Sequence, residues 1–277
     1  MNRNAADRSA GARAERWSVV TGLVVVSALA WAYTIQMTVD MSPAGPGSGG
    51  APAACCLPLA GTGTLQAAVL PHLANWGAAE FAMTWAMWAV MMAAMMLPTA
   101  IPMAVAFARI DRQSAGGSAL LPVGAFSAGY LGAWALYSAA AALLQGGLLR
   151  AALLAPATLA AGPVLGGALL TAAGLYQWSR WKDACLKKCR NPLGFLLSHW
   201  RPGRFGALRL GGRYGLYCVG CCWLLMLLGF ALGVMNLLWM ALLTLLMLLE
   251  KVAPAGTVVS RAAGVGLIVW GGWMILA

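Results

Sequence analysis

The segment MTWAMWAVMMAAMMLPTAIPM, from Met83 to Met103, is uncharged and almost wholly apolar. It is as long as the roughly 20 residues that a helix needs to cross a lipid bilayer. Seven of the chain's 15 methionines lie in it, and Pro98 and Pro102 each remove one helical hydrogen bond from its second half. An ordinary lipid-facing helix would use Leu, Ile and Val here. The segment therefore predicts a transmembrane helix with an unusual methionine content.

The methionines of this segment fall on two sides of a helix in which successive residues are separated by about 100°. One side carries Met83, Met87, Met91 and Met95, and the other carries Met92, Met96 and Met103. Methionine is flexible and polarisable, and its thioether is a soft ligand suited to copper(I). Two interpretations stay open: a copper(I)-handling helix, or a helix whose methionines only fill gaps in the packing. In the first, the candidate ligands are Met87, Met91, Met92, Met95 and Met96.

The rest of the chain has the composition of a membrane protein, with 61% hydrophobic and only 9% charged residues among 277. Its apolar runs are too long and continuous for the strands of a membrane barrel. We therefore predict an all-α, polytopic bundle of transmembrane helices. The net charge of +11 would suggest nucleic-acid binding in a soluble protein, but here the basic residues concentrate in loops, which excludes that function class.

The distribution of basic residues predicts the topology. Nine Lys or Arg residues and a single acidic residue, Asp183, lie between Arg180 and Arg213, which places this segment on the cytoplasmic side. The result is about seven spans, with six as the alternative, and a cytoplasmic N-terminus in a bacterial inner membrane. The predicted parts are a basic tail (1–16), a first transmembrane helix (17–38), a Gly/Pro/Ala-rich extracytoplasmic loop (39–78) and a helix-bundle domain (79–277) with a basic cytoplasmic loop (180–214).

Three local patterns give further expectations. The fourth span should begin near Pro163 and continue beyond the membrane as one helix until Asn191-Pro192 stops it. Gly162-x-x-x-Gly166 at its start predicts close helix packing. Glu250-Lys251 should be a pair of interfacial charges at the end of the sixth span.

Cysteines form the second informative set. Cys185 and Cys189 are four residues apart and share one helical face, while Cys218, Cys221 and Cys222 open the fifth span. Both groups are predicted at the same cytoplasmic membrane edge, where the compartment keeps thiols reduced. Their number resembles the ligand count of a thiolate site for zinc, copper(I) or an iron–sulfur cluster. A redox pair and purely structural cysteines remain the alternatives.

The surroundings of these thiols give one more expectation. The flanking cations should lower the pKa of the cysteines and offset the charge of a multi-thiolate site; they are Lys182, Lys187, Lys188 and Arg190. The vicinal pair Cys55 and Cys56 lies in the extracytoplasmic loop, where it could form a disulfide or bind a metal.

The sequence contains no motif that is typical of an enzyme. It has no phosphate-binding loop, no GxSxG motif and no nucleophile–base arrangement, so no enzymatic activity is predicted. Its only histidines are His72 and His199, which makes a histidine-rich metal site improbable. It also lacks the chain of intramembrane carboxylates that ion-coupled transporters use. Glu80 is an interfacial residue or an entry ligand.

Three motifs carry a resemblance to a known family: WAMWAVMMAAMMLP from Trp85, YQWSRWKDACLKKCRNP from Tyr176, and GLYCVGCCWLLMLLGFALGVMNLLWM from Gly215 with the trailing Glu-Lys. The chain resembles the bacterial predicted metal-binding integral membrane proteins of domain of unknown function 2182, sometimes labelled copper chaperones. The resemblance covers about residue 79 to the C-terminus. It implies metal binding at Met91, Met92, Met95, Met96, Cys185, Cys189, Cys218, Cys221 and Cys222.

The leading hypothesis is thus a membrane protein that binds a soft metal, copper(I) first and zinc second, for transfer, insertion or export. A metallochaperone or a copper-requiring membrane protein is the candidate partner, beside the lipid bilayer itself. A non-catalytic scaffold or assembly subunit is the main alternative, and membrane thiol–disulfide exchange is the third. The sequence leaves the direction of transfer and the oligomeric state open.

Overall fold

A computed structural model describes residues 3–41, 76–115, 120–155, 159–234 and 236–276. Along these ranges the chain is helical, apart from a single antiparallel bridge between Leu154 and Ala161. The helices are α1 (Arg3–Met41), α2 (Ala78–Ala115), α3 (Leu120–Arg150), α4 (Pro163–Tyr176), α5 (Arg180–Arg190), α6 (Pro192–His199), α7 (Arg204–Leu232), α8 (Leu237–Val252) and α9 (Gly256–Leu276). The all-α prediction is confirmed.

Among the residues that the structure describes, five helices are long and apolar enough to cross a membrane. They are α1 (its part Arg16–Thr38), α2, α3, α7 and α9. The other two predicted spans correspond to α4 and α8, which have 14 and 16 residues and are shorter than the ~20 residues of a full crossing. Seven spans and a cytoplasmic N-terminus stay predictions. Most of the predicted extracytoplasmic loop, including Cys55, Cys56 and His72, lies outside the described residues.

The methionine segment lies within α2, which is the most buried of these five helices. In its apolar window 61% of the residues are buried, against 17% in α1 and α9, and it packs against α1, α3 and α8. Pro98 has no N–H to donate to the Ala94 carbonyl, and the Ser27 hydroxyl of α1 donates to that oxygen instead, at 3.1 Å. This replacement satisfies a buried acceptor, so α2 continues through Pro98 without a break.

Glycines allow two pairs of helices to approach backbone to backbone. A Cβ atom on Gly211 of α7 would collide with the Phe126 carbonyl of α3, and one on Gly167 of α4 would lie 2.7 Å from the Gly271 carbonyl of α9. In the predicted packing motif, Gly166 lies close to α9, since an added Cβ would be 3.0 Å from Met274 Cε, whereas Gly162 has no neighbour within 4 Å of such a Cβ. The close packing of α4 therefore depends on Gly166 and Gly167 rather than on Gly162.

The basic segment after α4 is not the continuous helix that the sequence predicts. α4 ends at Tyr176, and α5 starts afresh at Arg180 after Ser179, whose hydroxyl caps the new helix by accepting from the Lys182 N–H at 3.1 Å. The predicted stop at Asn191 is confirmed, since α5 ends at Arg190. The predicted loop 180–214 is itself largely helical, because α5, α6 and the first turns of α7 occupy it.

Candidate metal-binding site

The five predicted methionine ligands are all inside the protein. Met87, Met91, Met92, Met95 and Met96 are each at most 5% exposed. Their thioethers therefore face packed protein and not lipid, on both sides of α2. This position suits ligands held for a soft ion, and it equally suits side chains that fill the core.

The predicted cysteine ligands come from two helices that lie against each other. Cys218, Cys221 and Cys222 of α7 are at most 1% exposed, and Cys189 of α5 is buried as well. Cys185 is half-buried beside Gly220, where an added Cβ would lie 2.9 Å from its Sγ. Thiols about 30 residues apart in the sequence thus meet where α5 packs on α7.

The buried thiols are held by hydrogen bonds within α7 and between α5 and α7. Cys221 Sγ and Cys222 Sγ donate to the Cys218 carbonyl at 3.1 and 2.9 Å, and the Cys189 thiol hydrogen-bonds to that of Cys221. All five thiols on α5 and α7 are free. Among the described residues, no three His, Cys, Asp or Glu side chains are arranged to hold a metal ion together.

The thiols of α5 do not have the lowered pKa values that the neighbouring cations led us to expect. Desolvation raises the pKa of Cys185, and the hydrogen bond with Cys221, together with burial, raises that of Cys189. Lys182 does not lower them, because its ammonium group pairs with Glu250 at 2.8 Å. These two thiols are therefore protonated near neutral pH, and a metal ion that binds them has to displace the proton.

This leads to a prediction for the half-buried Cys185. Its alkylation by a soluble maleimide should be slower near neutral pH than that of a cysteine peptide. The pH at which the alkylation rate reaches half of its maximum should lie above the ordinary thiol value of about 8.5. Mass spectrometry of the purified protein over a pH series measures this, with Cys185→Ser as the control that assigns the modified site. A midpoint below that of the peptide would contradict it.

Cys218 is the point where three helices are linked by polar contacts. Its Sγ lies 3.1 Å from the Tyr130 hydroxyl of α3 and 2.9 Å from Lys251 Nζ of α8. Lys251 Nζ also donates to Thr99 Oγ1 of α2 at 3.0 Å, and the Tyr130 hydroxyl reaches the Met96 carbonyl at 3.1 Å. These contacts connect the thiols of α7 to the methionine segment of α2. All five side chains are buried.

Sequence reasoning missed Lys251, Tyr130 and Thr99 as parts of this site. It treated Glu250-Lys251 as an interfacial pair, but both residues are buried and they contact different groups. The missed signal is their adjacency, because neighbouring residues on a helix point in directions about 100° apart and cannot face each other.

Glu250 belongs to a second buried network that joins the ends of four helices. Its carboxylate pairs with Lys182 of α5 and accepts from Gln177 Nε2 at 3.0 Å. Gln177 Oε1 in turn accepts from Ser260 of α9 at 3.0 Å and from Lys182. This network fixes the end of α8 and so holds Lys251 against Cys218. Glu80, by contrast, accepts from the Gly77 N–H at the start of α2 at 3.0 Å and serves as a helix cap.

Comparison with known proteins identifies the family. The family model described as PpoB2, copper chaperone, matches residues 85–274, which include nearly all of the methionine segment and the five cysteines of α5 and α7. No curated protein and no solved structure is significantly similar to the chain. The match covers well over half of the sequence. The chain therefore belongs to the PpoB2 copper chaperone family.

Proposed function

We propose that this protein binds copper(I) within a bacterial inner membrane and passes it on, without catalysing a reaction. The observation that carries this proposal is the meeting of soft donors from distant parts of the chain. Thiols of α5 and α7 lie together, and Tyr130 touches both Cys218 Sγ and the Met96 carbonyl. Soft thiolate and thioether ligands favour copper(I) over harder ions.

The two ligand types would divide the task. Thioethers bind copper(I) more weakly than thiolates do, so Met91, Met92, Met95 and Met96 offer exchangeable sites beside a tighter thiolate site at Cys218. Such a gradient suits transfer along α2 toward α7. Cys185 is the most accessible of the five thiols and is the proposed exchange position. Zinc is the second candidate, but methionine thioethers do not favour it.

The basic surface around α5 supports a proposal for the partner. Arg180, Lys187 and Lys188 line an open cleft of about 720 Å³ between α5 and α6, next to the half-buried Cys185. A metallochaperone or a copper-requiring membrane protein with an acidic surface would complement it. The same cations support a cytoplasmic position for this surface in a protein that crosses the membrane several times.

Metal analysis of the purified protein tests the proposal. Cells are grown with added copper, and bound copper and zinc are measured for the wild type and for a variant with Cys185, Cys189, Cys218 and Cys221 replaced by Ser. We expect stoichiometric copper in the first and little in the second. A second variant, with Met91, Met92, Met95 and Met96 replaced by Leu, should keep the tight site but exchange copper more slowly with a chelator.

A matched control separates ligand loss from disturbed packing. Met240→Leu changes a methionine of α8 that is equally buried but lies outside the segment, and it should leave both copper content and exchange unaltered. Unchanged, sub-stoichiometric copper in the wild type and the cysteine variant would refute the proposal. It would favour the scaffold function, in which helix packing matters and the cysteines are dispensable.

Burial argues against thiol–disulfide exchange as the function. Exchange needs an accessible thiolate, whereas Cys218, Cys221 and Cys222 are at most 1% exposed. The raised pKa of Cys185, the most exposed of the five thiols, also lowers its thiolate fraction. A mixed disulfide trapped with a membrane partner would reverse this judgement.

A further inference from the structure

Lys251 is a buried ammonium group that lies against sulfur. Its Nζ is 2.9 Å from Cys218 Sγ and 3.0 Å from Thr99 Oγ1, and the side chain is 8% exposed. Its electrostatic neighbours include the α7 thiols and Tyr130, whereas the adjacent carboxylate, Glu250, pairs with Lys182.

A buried cation needs an anion, because an unpaired charge in a low-dielectric interior is strongly unfavourable. The Tyr130 ring and its neighbour, the Tyr214 ring, lie 5.8 Å apart beside this position and add to its apolar surroundings. The sulfur of Cys218 is the group in contact with Lys251 that is able to carry the balancing charge. Lys251 is thus placed to stabilise an anionic sulfur species.

We propose that Lys251 is the counter-charge that fits the thiol site to copper(I), held between the thiolate of Cys218 and one further thiolate of α7. This inference rests on the proposed function and adds to it the number of thiolates and the source of metal selectivity. Lys251 is a positioning and selectivity residue, since it donates to the ligand sulfur and does not itself bind the ion.

Formal charges carry the selectivity argument. Copper(I) with two thiolates has one negative charge, which the ammonium group of Lys251 cancels, and every thiol proton that the ion displaces leaves to the medium. Zinc(II) with two thiolates is neutral, so the ammonium group would leave one uncompensated positive charge. Copper(I) with one thiolate and one thioether is also neutral, so the ammonium group would again leave one uncompensated positive charge. The cation therefore favours copper(I) on two thiolates over both alternatives.

The second thiolate is available on the same helix. Cys221 and Cys222 follow Cys218 by three and four residues, and residues at this spacing are neighbours on a helix surface. Both sulfurs already lie against the Cys218 residue, since each donates to its carbonyl oxygen. Either of them is therefore a candidate for the second thiolate of the pair.

Metal titrations of charge variants test this inference on the full-length protein in detergent. Copper(I) affinity is measured under reducing conditions against a copper(I) chelator, and zinc affinity against a zinc chelator. Lys251→Met should weaken copper(I) binding about tenfold or more, by analogy with the removal of one member of a buried charge pair. It should leave zinc binding unchanged or tighter. Lys251→Arg should keep the wild-type preference.

Two further variants control for the loss of a buried lysine. Lys251→Gln keeps a hydrogen-bond donor for Thr99 and loses the charge. It should therefore weaken copper(I) binding about tenfold or more, and it tests the role of the charge if Lys251→Met folds poorly. Gln145→Leu removes another buried polar side chain, whose hydrogen-bond partner is Trp88 and not Lys251 or a thiol, and it should bind copper(I) as the wild type does.

The outcomes distinguish this inference from the function on which it rests. Copper(I) and zinc affinities that are unchanged in Lys251→Gln, with copper lost in Cys218→Ser, would overturn the role of Lys251 and leave the proposed function standing. Copper content that is unchanged in both Cys218→Ser and the multiple cysteine variant would overturn both. A parallel loss of copper and zinc affinity in Lys251→Gln would overturn the selectivity argument.

Discussion

Replacing Cys218 by Ser is expected to lower the copper(I) affinity by about 100-fold or more, the largest effect of any single cysteine. Loss of a group that only orients a metal ligand costs about 10–100-fold in affinity, and loss of the ligand itself should exceed that. Among the five thiols on α5 and α7, Cys218 is the one that contacts Lys251 and Tyr130, so it stands at the centre of the buried polar contacts. A competition titration with a coloured copper(I) chelator measures the change.

The matched control is Cys185→Ser. The Cys185 side chain is half-buried at the edge of the same group of thiols, and its loss should change the affinity by less than about tenfold. It should instead slow the exchange of copper with an acceptor in solution. If Cys185→Ser weakened binding more than Cys218→Ser, the tight site would lie at the exposed edge of α5 and not inside the bundle.

The methionine segment shows what the sequence can predict here. An uncharged apolar run of this length is a helix in a membrane protein whatever surrounds it, because the bilayer allows little else. Its burial inside the bundle could not be predicted, because a helix that is apolar all round suits a lipid-facing position equally well. The choice between ligands and packing side chains could not be predicted, since both functions bury the same thioethers, and burial is what the structure adds.

The polar contacts of Lys251 show what the sequence could not predict. Local rules could have shown that Glu250 and Lys251 point apart, but they could not have named the partners. Thr99 is 152 residues from Lys251, and Lys182 is 68 residues from Glu250. Such pairs arise from the packing of whole helices, which depends on glycine contacts such as Gly211 on Phe126. The start of the new helix α5 after Ser179 was missed, because the sequence pattern around it is helical and only the capping hydroxyl of Ser179 marks the boundary.

Replacing Lys182 by Met alone should destabilise the protein by about 3–5 kcal/mol, the usual cost of removing one member of a buried ion pair. Lys182 and Glu250 are 0% and 2% exposed and lie 2.8 Å apart, so the lone carboxylate would have no access to water. Gln177 donates one hydrogen bond to it, which does not replace a charge. Unfolding in mixed detergent and SDS micelles measures the loss.

The rescue experiment decides whether the charge itself is responsible. Lys182→Met/Glu250→Gln removes both charges and keeps an amide oxygen for Gln177 Nε2, so it should recover most of the lost stability, because apolar replacement of a whole buried pair is often neutral. Should the double variant be as unstable as Lys182→Met, the packing of the lysine stem would account for the loss. Recovery of stability would mean that the unpaired charge of Glu250, and not the loss of packing, accounts for the destabilisation of Lys182→Met.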